Sequence, residues 1–332
     1  MSESLPVTPV FLFSLPRSGS TLVQRLLATH PRVATTSEPW ILLPLMYSLK
    51  RPGVLAEYGH RTTVRAIEDF CDALPAGREE YLTELRNLVL ALYQSAAGDA
   101  RYFVDKTPRY HLVAHEIMEL FPDAKFIFLW RQPLAVAASM IEAFGDGRWN
   151  LERYAVDLWD GVENLAAANR PNDPRRVSLR FEDVVADPQA ELGTLFEFLG
   201  LDGSEADPTV FQRLMLPGRM GRPGMEQYST VSAEPLDKWR ETMGSWYRKR
   251  WCRHYLERLG PHRLALMGYD YDRLMREVGE LDDSPRRIAS DIARSAYGLG
   301  HQAVTRSLMY PGRRERQIEA EEKQQALAAE RT

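Results

Sequence analysis

The residues best suited to chemistry lie near the start of the chain, in Ser14-Leu15-Pro16-Arg17-Ser18-Gly19-Ser20-Thr21. This turn offers a flexible glycine, several hydroxyls and a permanent cation, Arg17. A helix that begins directly after it aims its unbonded backbone N–H groups and its positive dipole end at one point, which is a site for a phosphate or similar anion. The alternative is a strand–helix turn with incidental polar residues. A nucleoside-triphosphate loop would need G-x-x-x-x-G-K-[ST]; here the first glycine and the lysine are missing and the spacing is shorter. A second pair is Arg131 and Ser139, a cation followed by a hydroxyl about two helical turns later. These suit a second phosphate, although alone they would be better explained as a surface arginine and a serine tolerated among Ala135, Ala137 and Ala138.

The flanking segments can position both groups. Phe11-Leu12-Phe13 is apolar at successive positions, as a central parallel strand is. The periodic run Leu22, Val23, Leu26, Leu27 predicts a helix ending at His30-Pro31. Lys125 to Trp130 is the clearest buried strand, and Pro133 suits the first position of the helix Leu134 to Phe144. A short strand-like or loop segment is expected at 33–40, a strand ending in a polar turn at 102–108 and a further strand at 176–181, with further helices at 62–97 (broken near 75–77), 111–121, 150–169, 188–199 and 239–259. Prolines and glycines over 41–61 suggest a loop or lid. This alternation predicts an α/β fold: a central parallel sheet with helices on both faces and a P-loop-like phosphate-binding turn after the first strand. Arg131 falls at the carboxyl end of its strand, where such sheets bind ligands. Residues 1–280 are expected to form one α/β domain, with a mostly helical acceptor-side or lid insertion at about 40–100. Residues 281–332 are expected to be a helical appendage or a homo-oligomer contact.

The 332-residue chain is 44% hydrophobic and 27% charged, which supports a folded core. A net charge of −4 argues against general nucleic-acid binding. The only cysteines, Cys71 and Cys252, form neither a disulfide framework nor a zinc motif. No apolar run reaches about 18 residues, and the polar stretch Met1 to Pro9 has no signal-like core, so a cytoplasmic protein without a membrane span is expected. His111 and His115, four apart, could pair on a metal, but no third ligand is apparent and no metal is expected.

The PRSGST turn, the strand–Arg–x–Pro–helix–Ser segment and the stretch Arg180-Phe181-Glu182-Asp183-Val184-Val185-Ala186-Asp187-Pro188 together resemble the sulfotransferase family, from about residue 10 to 260. That family uses 3′-phosphoadenosine 5′-phosphosulfate (PAPS) as co-substrate. The resemblance implies that Arg17, Ser18, Gly19, Ser20 and Thr21 hold the 5′-phosphosulfate and that Arg131 and Ser139 hold the 3′-phosphate. The RSG-type turn, the Leu-Leu-x-x-His-Pro stretch and Glu38 look most like the tyrosylprotein and bacterial branch, where a glutamate at the place of Glu38 is the proposed base. By the same resemblance, Lys106 would touch the sulfuryl or leaving oxygens, and Ser229 and Lys238 would approach the cofactor. Arg219 or Arg222 would stand in a 3′-phosphate loop. Asp105 could orient Lys106 or cap a helix. Phe181 departs from the pattern, since a tyrosine often precedes the Glu-Asp pair.

The implied function is transfer of a sulfuryl group to an acceptor hydroxyl, with release of 3′,5′-ADP and Glu38, Arg17 and Lys106 as catalytic groups. A carbohydrate or small-molecule acceptor is preferred. Trp40, Tyr47 and Trp149 are candidates for an acceptor pocket. The competing expectations are a nucleotide kinase with a shortened loop and a non-catalytic nucleotide-binding module.

Overall fold

Five short strands pair in parallel to make the sheet. They are β1 (Thr8–Ser14), β2 (Val33–Thr35), β3 (Tyr102–Asp105), β4 (Lys125–Trp130) and β5 (Arg176–Arg180), in the order β2-β3-β1-β4-β5. The computed structural model describes residues 6–50, 52–213, 216 and 236–309. β1 lies at the centre of the sheet. Phe11 and Phe13 point to one face, with Phe103, Phe126 and Phe128, while Val10 and Leu12 point to the other, with Val104, Ile127 and Leu129. Burial on both faces is why these strands read as continuous apolar runs. Phe11 and Phe13 each lie 5.9 Å from Phe126, ring centre to ring centre.

Helices cover both faces. On the second face, α1 (Ser20–Leu27) and α9 (Pro188–Leu199) bury Val23, Leu27, Leu192, Leu195 and Phe196. The insertion between β2 and β3 carries α2 (Leu42–Tyr47), α3 (His60–Asp72) and α4 (Gly77–Ala97). Part of the expected loop at 41–61 is therefore helical, since Pro44 sits in the first turn of α2, where its missing N–H costs nothing. α4 is part of the first-face layer: Tyr93 stacks on Phe103 with ring centres 4.6 Å apart.

Two expected helices are broken by buried polar groups. The 111–121 segment is a 3-10 turn over Pro108–Leu112 followed by α5 (Ala114–Leu120). The 150–169 segment is a 3-10 turn (Leu151–Tyr154), a π turn (Val156–Asp160) and then α7 (Gly161–Ala168). The widened π turn carries Asp157, which is fully buried and accepts from His111 Nε2 at 2.8 Å and Arg109 Nη2 at 2.9 Å. His111 is thus committed to Asp157, while exposed His115 pairs with Glu119 at 3.2 Å. The two histidines do not converge as a metal pair. Among the described residues, no group of three or more His, Cys, Asp or Glu is placed to hold a metal ion, and no helix is long and apolar enough to cross a membrane.

On the carboxyl side, α6 (Pro133–Gly145) and α8 (Phe181–Ala186) start at the ends of β4 and β5. α10 is Pro208–Arg213, and α11 is Lys238–Thr242. A kinked α12 (Trp246–Leu266, bent at Gly260-Pro261), α13 (Tyr271–Gly279) and α14 (Ile288–Met309) follow. α14 is anchored by a buried ion pair, with Arg248 Nε 2.7 Å and Nη2 3.2 Å from the Asp291 carboxylate. Arg248 also donates to the carbonyls of Thr242 and Gly147. Removing one partner strands the other charge away from water. Arg248→Ala is expected to cost about 3–5 kcal/mol in chemical denaturation, against well under 1 kcal/mol for the exposed Arg273→Ala.

Candidate active site

The turn after β1 takes its shape from two left-handed residues, Arg17 at φ 72° and Gly19 at φ 87°. Gly19 is needed there for a second reason. A Cβ on it would lie 2.2 Å from Cδ2 and Cε2 of Phe181, the first residue of α8. Phe181 therefore presses its ring on the glycine. The Gly19 carbonyl accepts from Leu22 N at 2.9 Å and Val23 N at 3.4 Å, so α1 offers no carbonyl to the amides of Ser20 and Thr21. Ser18 and Ser20 are buried.

The second constellation meets the first. Arg17 Nε donates to Ser139 Oγ at 3.1 Å across 122 residues of sequence, and its guanidinium lies 5.8 Å from the Phe144 ring centre. Arg131 lies beneath the turn, where Nη1 donates to the Arg17 carbonyl at 2.9 Å and the guanidinium stacks 4.7 Å from the Phe181 ring centre. Burial pulls its pKa down, and Glu182 opposes this. Glu182 in turn accepts from Gln132 N at 2.9 Å and from the Tyr269 hydroxyl at 2.6 Å. Gln132 caps α6 by accepting from Ala135 N, with Pro133 in the first turn as the sequence predicts.

The third group comes from the loop after β2 and the end of β3. Lys106 Nζ lies 2.7 Å from Glu38 Oε1 and 3.3 Å from Thr21 Oγ1. The Lys106 side chain is 3% exposed and that of Glu38 16%. Burial lowers the Lys106 pKa and the Glu38 carboxylate opposes the shift. Glu38 Oε2 accepts from Trp40 Nε1 at 3.1 Å.

Arg17, Ser18, Gly19, Ser20, Thr21, Glu38, Lys106, Arg131 and Ser139 thus gather at the carboxyl edges of β1, β3 and β4, the crevice where open parallel sheets bind ligands. Lys238 is the first residue of α11 and is exposed, and Ser229, Arg219 and Arg222 lie outside the described residues. Trp149 is not a pocket wall. It is 1% exposed, packed edge-on against Tyr247 and Trp251, with its N–H on Glu152. Tyr47 packs near Gly53 and Lys50.

Asp105 is neither a helix cap nor a direct hydrogen-bond partner of Lys106. It is fully buried and accepts from Tyr93 OH at 2.5 Å, Tyr110 OH at 2.9 Å and Thr107 Oγ1 at 3.2 Å. Burial pushes its carboxyl pKa up to about 6, against the pull of those three donors and of Lys106. A carboxyl held above its unfolded value binds its proton more tightly in the native state. Its contribution is complete below about pH 4 and is lost as pH rises through about 6, by about 3 kcal/mol. Asp105→Asn is expected to remove that decline from urea-denaturation stabilities measured between pH 4 and 7. An unchanged slope would contradict the assignment.

The family model described as "Sulfotransferase family" matches residues 9–205, more than half of the chain. The chain belongs to the sulfotransferase family. The matched segment holds all five strands apart from Thr8 of β1, and every predicted site residue named above except Arg219, Arg222, Ser229 and Lys238, which lie beyond it. Over 150 residues this sulfotransferase-family chain is 34% identical to nodulation protein NoeE of Sinorhizobium fredii, covering 44% of this chain and 34% of that protein. Over 251 residues it is 23% identical to protein-tyrosine sulfotransferase 2 of Gallus gallus, covering 72% and 64%. It therefore spans about a third of the first relative and just under two thirds of the second. The sulfotransferase domain from the curacin biosynthetic pathway shares the fold, with a TM-score of 0.50 at 22% identity over 81% of this chain and 99% of that one.

Proposed function

We propose that this chain is a PAPS-dependent sulfotransferase that moves a sulfuryl group to an acceptor hydroxyl and releases 3′,5′-ADP. The observation that carries this is the ion pair of buried Lys106 with half-buried Glu38, set against Thr21 of the turn. A proton acceptor and a cation there adjoin an anion cradle of backbone amides, hydroxyls and Arg17. The donor set fits PAPS. Ser18 to Thr21 and Arg17 would hold the phosphosulfate, and Arg131 with Ser139 the 3′-phosphate, with Ser229 and Lys238 as further cofactor contacts.

PAPS supplies an activated sulfuryl group on a phosphosulfate anhydride. The acceptor oxygen bonds to sulfur as the bond from sulfur to the bridging oxygen breaks, and that electron pair stays with the 5′-phosphate. Glu38 takes the acceptor's proton. Lys106 and Arg17 stabilise the charge that grows on the bridging oxygen. As in phosphoryl transfer, in-line positioning and charge stabilisation do most of the work. Lys106 would exchange Glu38 for the anionic group, which frees the carboxylate as a base.

A sugar or phenol hydroxyl on a carbohydrate or small molecule is the preferred acceptor, because the Trp40 ring adjoins Glu38 and aromatic faces suit either. The relative from Gallus gallus is by its name a protein-tyrosine sulfotransferase, so tyrosine peptides belong in the same screen. Labelled PAPS offered with saccharides, phenols, alcohols and tyrosine peptides is expected to give transfer to a hydroxyl. Absence of transfer to every acceptor, together with magnesium-dependent ATP turnover, would favour a kinase.

A further inference from the structure

Trp40 has a conformation that its side chain does not favour. Its φ is 60°, in the left-handed region, where a bulky non-glycine residue is rare and costs energy. Such strain persists only where the surroundings over-determine it. Here they do so from both sides. The Trp40 backbone N–H donates to Thr107 Oγ1 at 3.2 Å, and the Thr107 hydroxyl donates to Asp105. Two residues on, Leu42 N donates to Tyr110 OH at 3.3 Å, and Tyr110 donates to the same carboxylate. Tyr93 brings α4 to that carboxylate as well. One buried aspartate at the end of β3 thus fixes the bend that carries Trp40. The bend turns the indole back so that Nε1–H reaches Glu38 Oε2, while Lys106, the next residue after Asp105, takes Oε1. Both carboxylate oxygens are then held by groups referred to a single strand end.

We propose that Trp40, locked by the Asp105–Thr107–Tyr110 hub, is the positioning residue that orients the Glu38 carboxylate for proton abstraction. Trp40 acts through Glu38, so the proposal rests on Glu38 being the base. Lys106 cannot fix the carboxylate alone if it turns toward the transferring group. The indole N–H is the contact that stays when Lys106 leaves.

The test has a spectroscopic arm and a kinetic arm. The chain has seven tryptophans, so the indole N–H region of a ¹H–¹⁵N spectrum is small enough to assign, and Trp40→Phe identifies the Trp40 signal by its loss. Glu38→Gln, which removes the charge from the acceptor, is expected to shift that signal, and Thr107→Val to shift it as well, with Thr107→Ser restoring it. In turnover with the acceptor found by the screen, Trp40→Phe and Thr107→Val are expected to lower kcat by about tenfold, with KM for PAPS within about twofold of wild type and Thr107→Ser close to wild type. If the Trp40 signal ignores Glu38→Gln, or if kcat survives loss of the indole N–H, the proposal is overturned. If the signal responds but the wild-type protein transfers no sulfuryl group and binds no 3′,5′-ADP, it is the PAPS reading that fails.

Discussion

Glu38→Gln is expected to lower sulfuryl transfer by about 10²- to 10⁴-fold while leaving the affinity for 3′,5′-ADP within a few-fold of wild type. The substitution is nearly isosteric. A glutamine keeps a side-chain oxygen that can accept from Lys106, now 2.7 Å from Oε1, so the buried ammonium is not stranded without a partner. What it loses is the basic oxygen that takes the acceptor's proton. Comparing transfer rates with calorimetric 3′,5′-ADP affinities separates these effects. Retained transfer would remove Glu38 from the base role and leave the fold assignment intact. A parallel loss of both quantities would mean that the Lys106–Glu38 pair shapes the nucleotide site.

Gly19→Ala is expected to abolish measurable 3′,5′-ADP binding and to cost about 2–5 kcal/mol of stability. Two separate terms contribute. The left-handed φ of 87° is strained for any residue with a Cβ, at about 1–3 kcal/mol. The added carbon would also collide with the Phe181 ring at 2.2 Å, so the ring and the Arg131 guanidinium stacked on it must move. The Gly19→Ala/Phe181→Ala pair distinguishes these terms. It relieves the collision but not the backbone strain, so the combined loss should fall well short of the sum of the single losses. Strict additivity in denaturation would contradict the close packing of Phe181 on the turn.

The central strands β1, β3 and β4 were legible because each is buried on both faces, which leaves a run of apolar residues that no surface strand carries. The turn was legible because a proline, an arginine, a glycine and hydroxyls sit between that run and a periodic helix. Arg131 and Ser139 were locatable from Pro133, which marks where α6 starts. Glu38 and Lys106 stood out through the family resemblance alone, since a loop carboxylate and a lysine have no local signature of their own. The hub at Asp105 was not legible. Its donors Tyr93, Thr107 and Tyr110 come from α4 and the turn after β3, and only folding brings them to one carboxylate. The same holds for Tyr269, which reaches Glu182 across 87 residues. The helices expected over 111–121 and 150–169 broke because His111 and Asp157 bond to each other in the interior, and no periodicity count registers that pairing. The left-handed backbone at Trp40 was invisible for a similar reason, since bulky residues predict the opposite.

Isothermal titration of the full chain with 3′,5′-ADP, in parallel with ATP and magnesium, tests the central claim most directly. A cradle built from Arg17, Ser18 to Thr21, Arg131 and Ser139 for two separate phosphate positions predicts clear binding of 3′,5′-ADP and weak or no binding of ATP. Failure to bind 3′,5′-ADP, or a preference for ATP with magnesium, would contradict it.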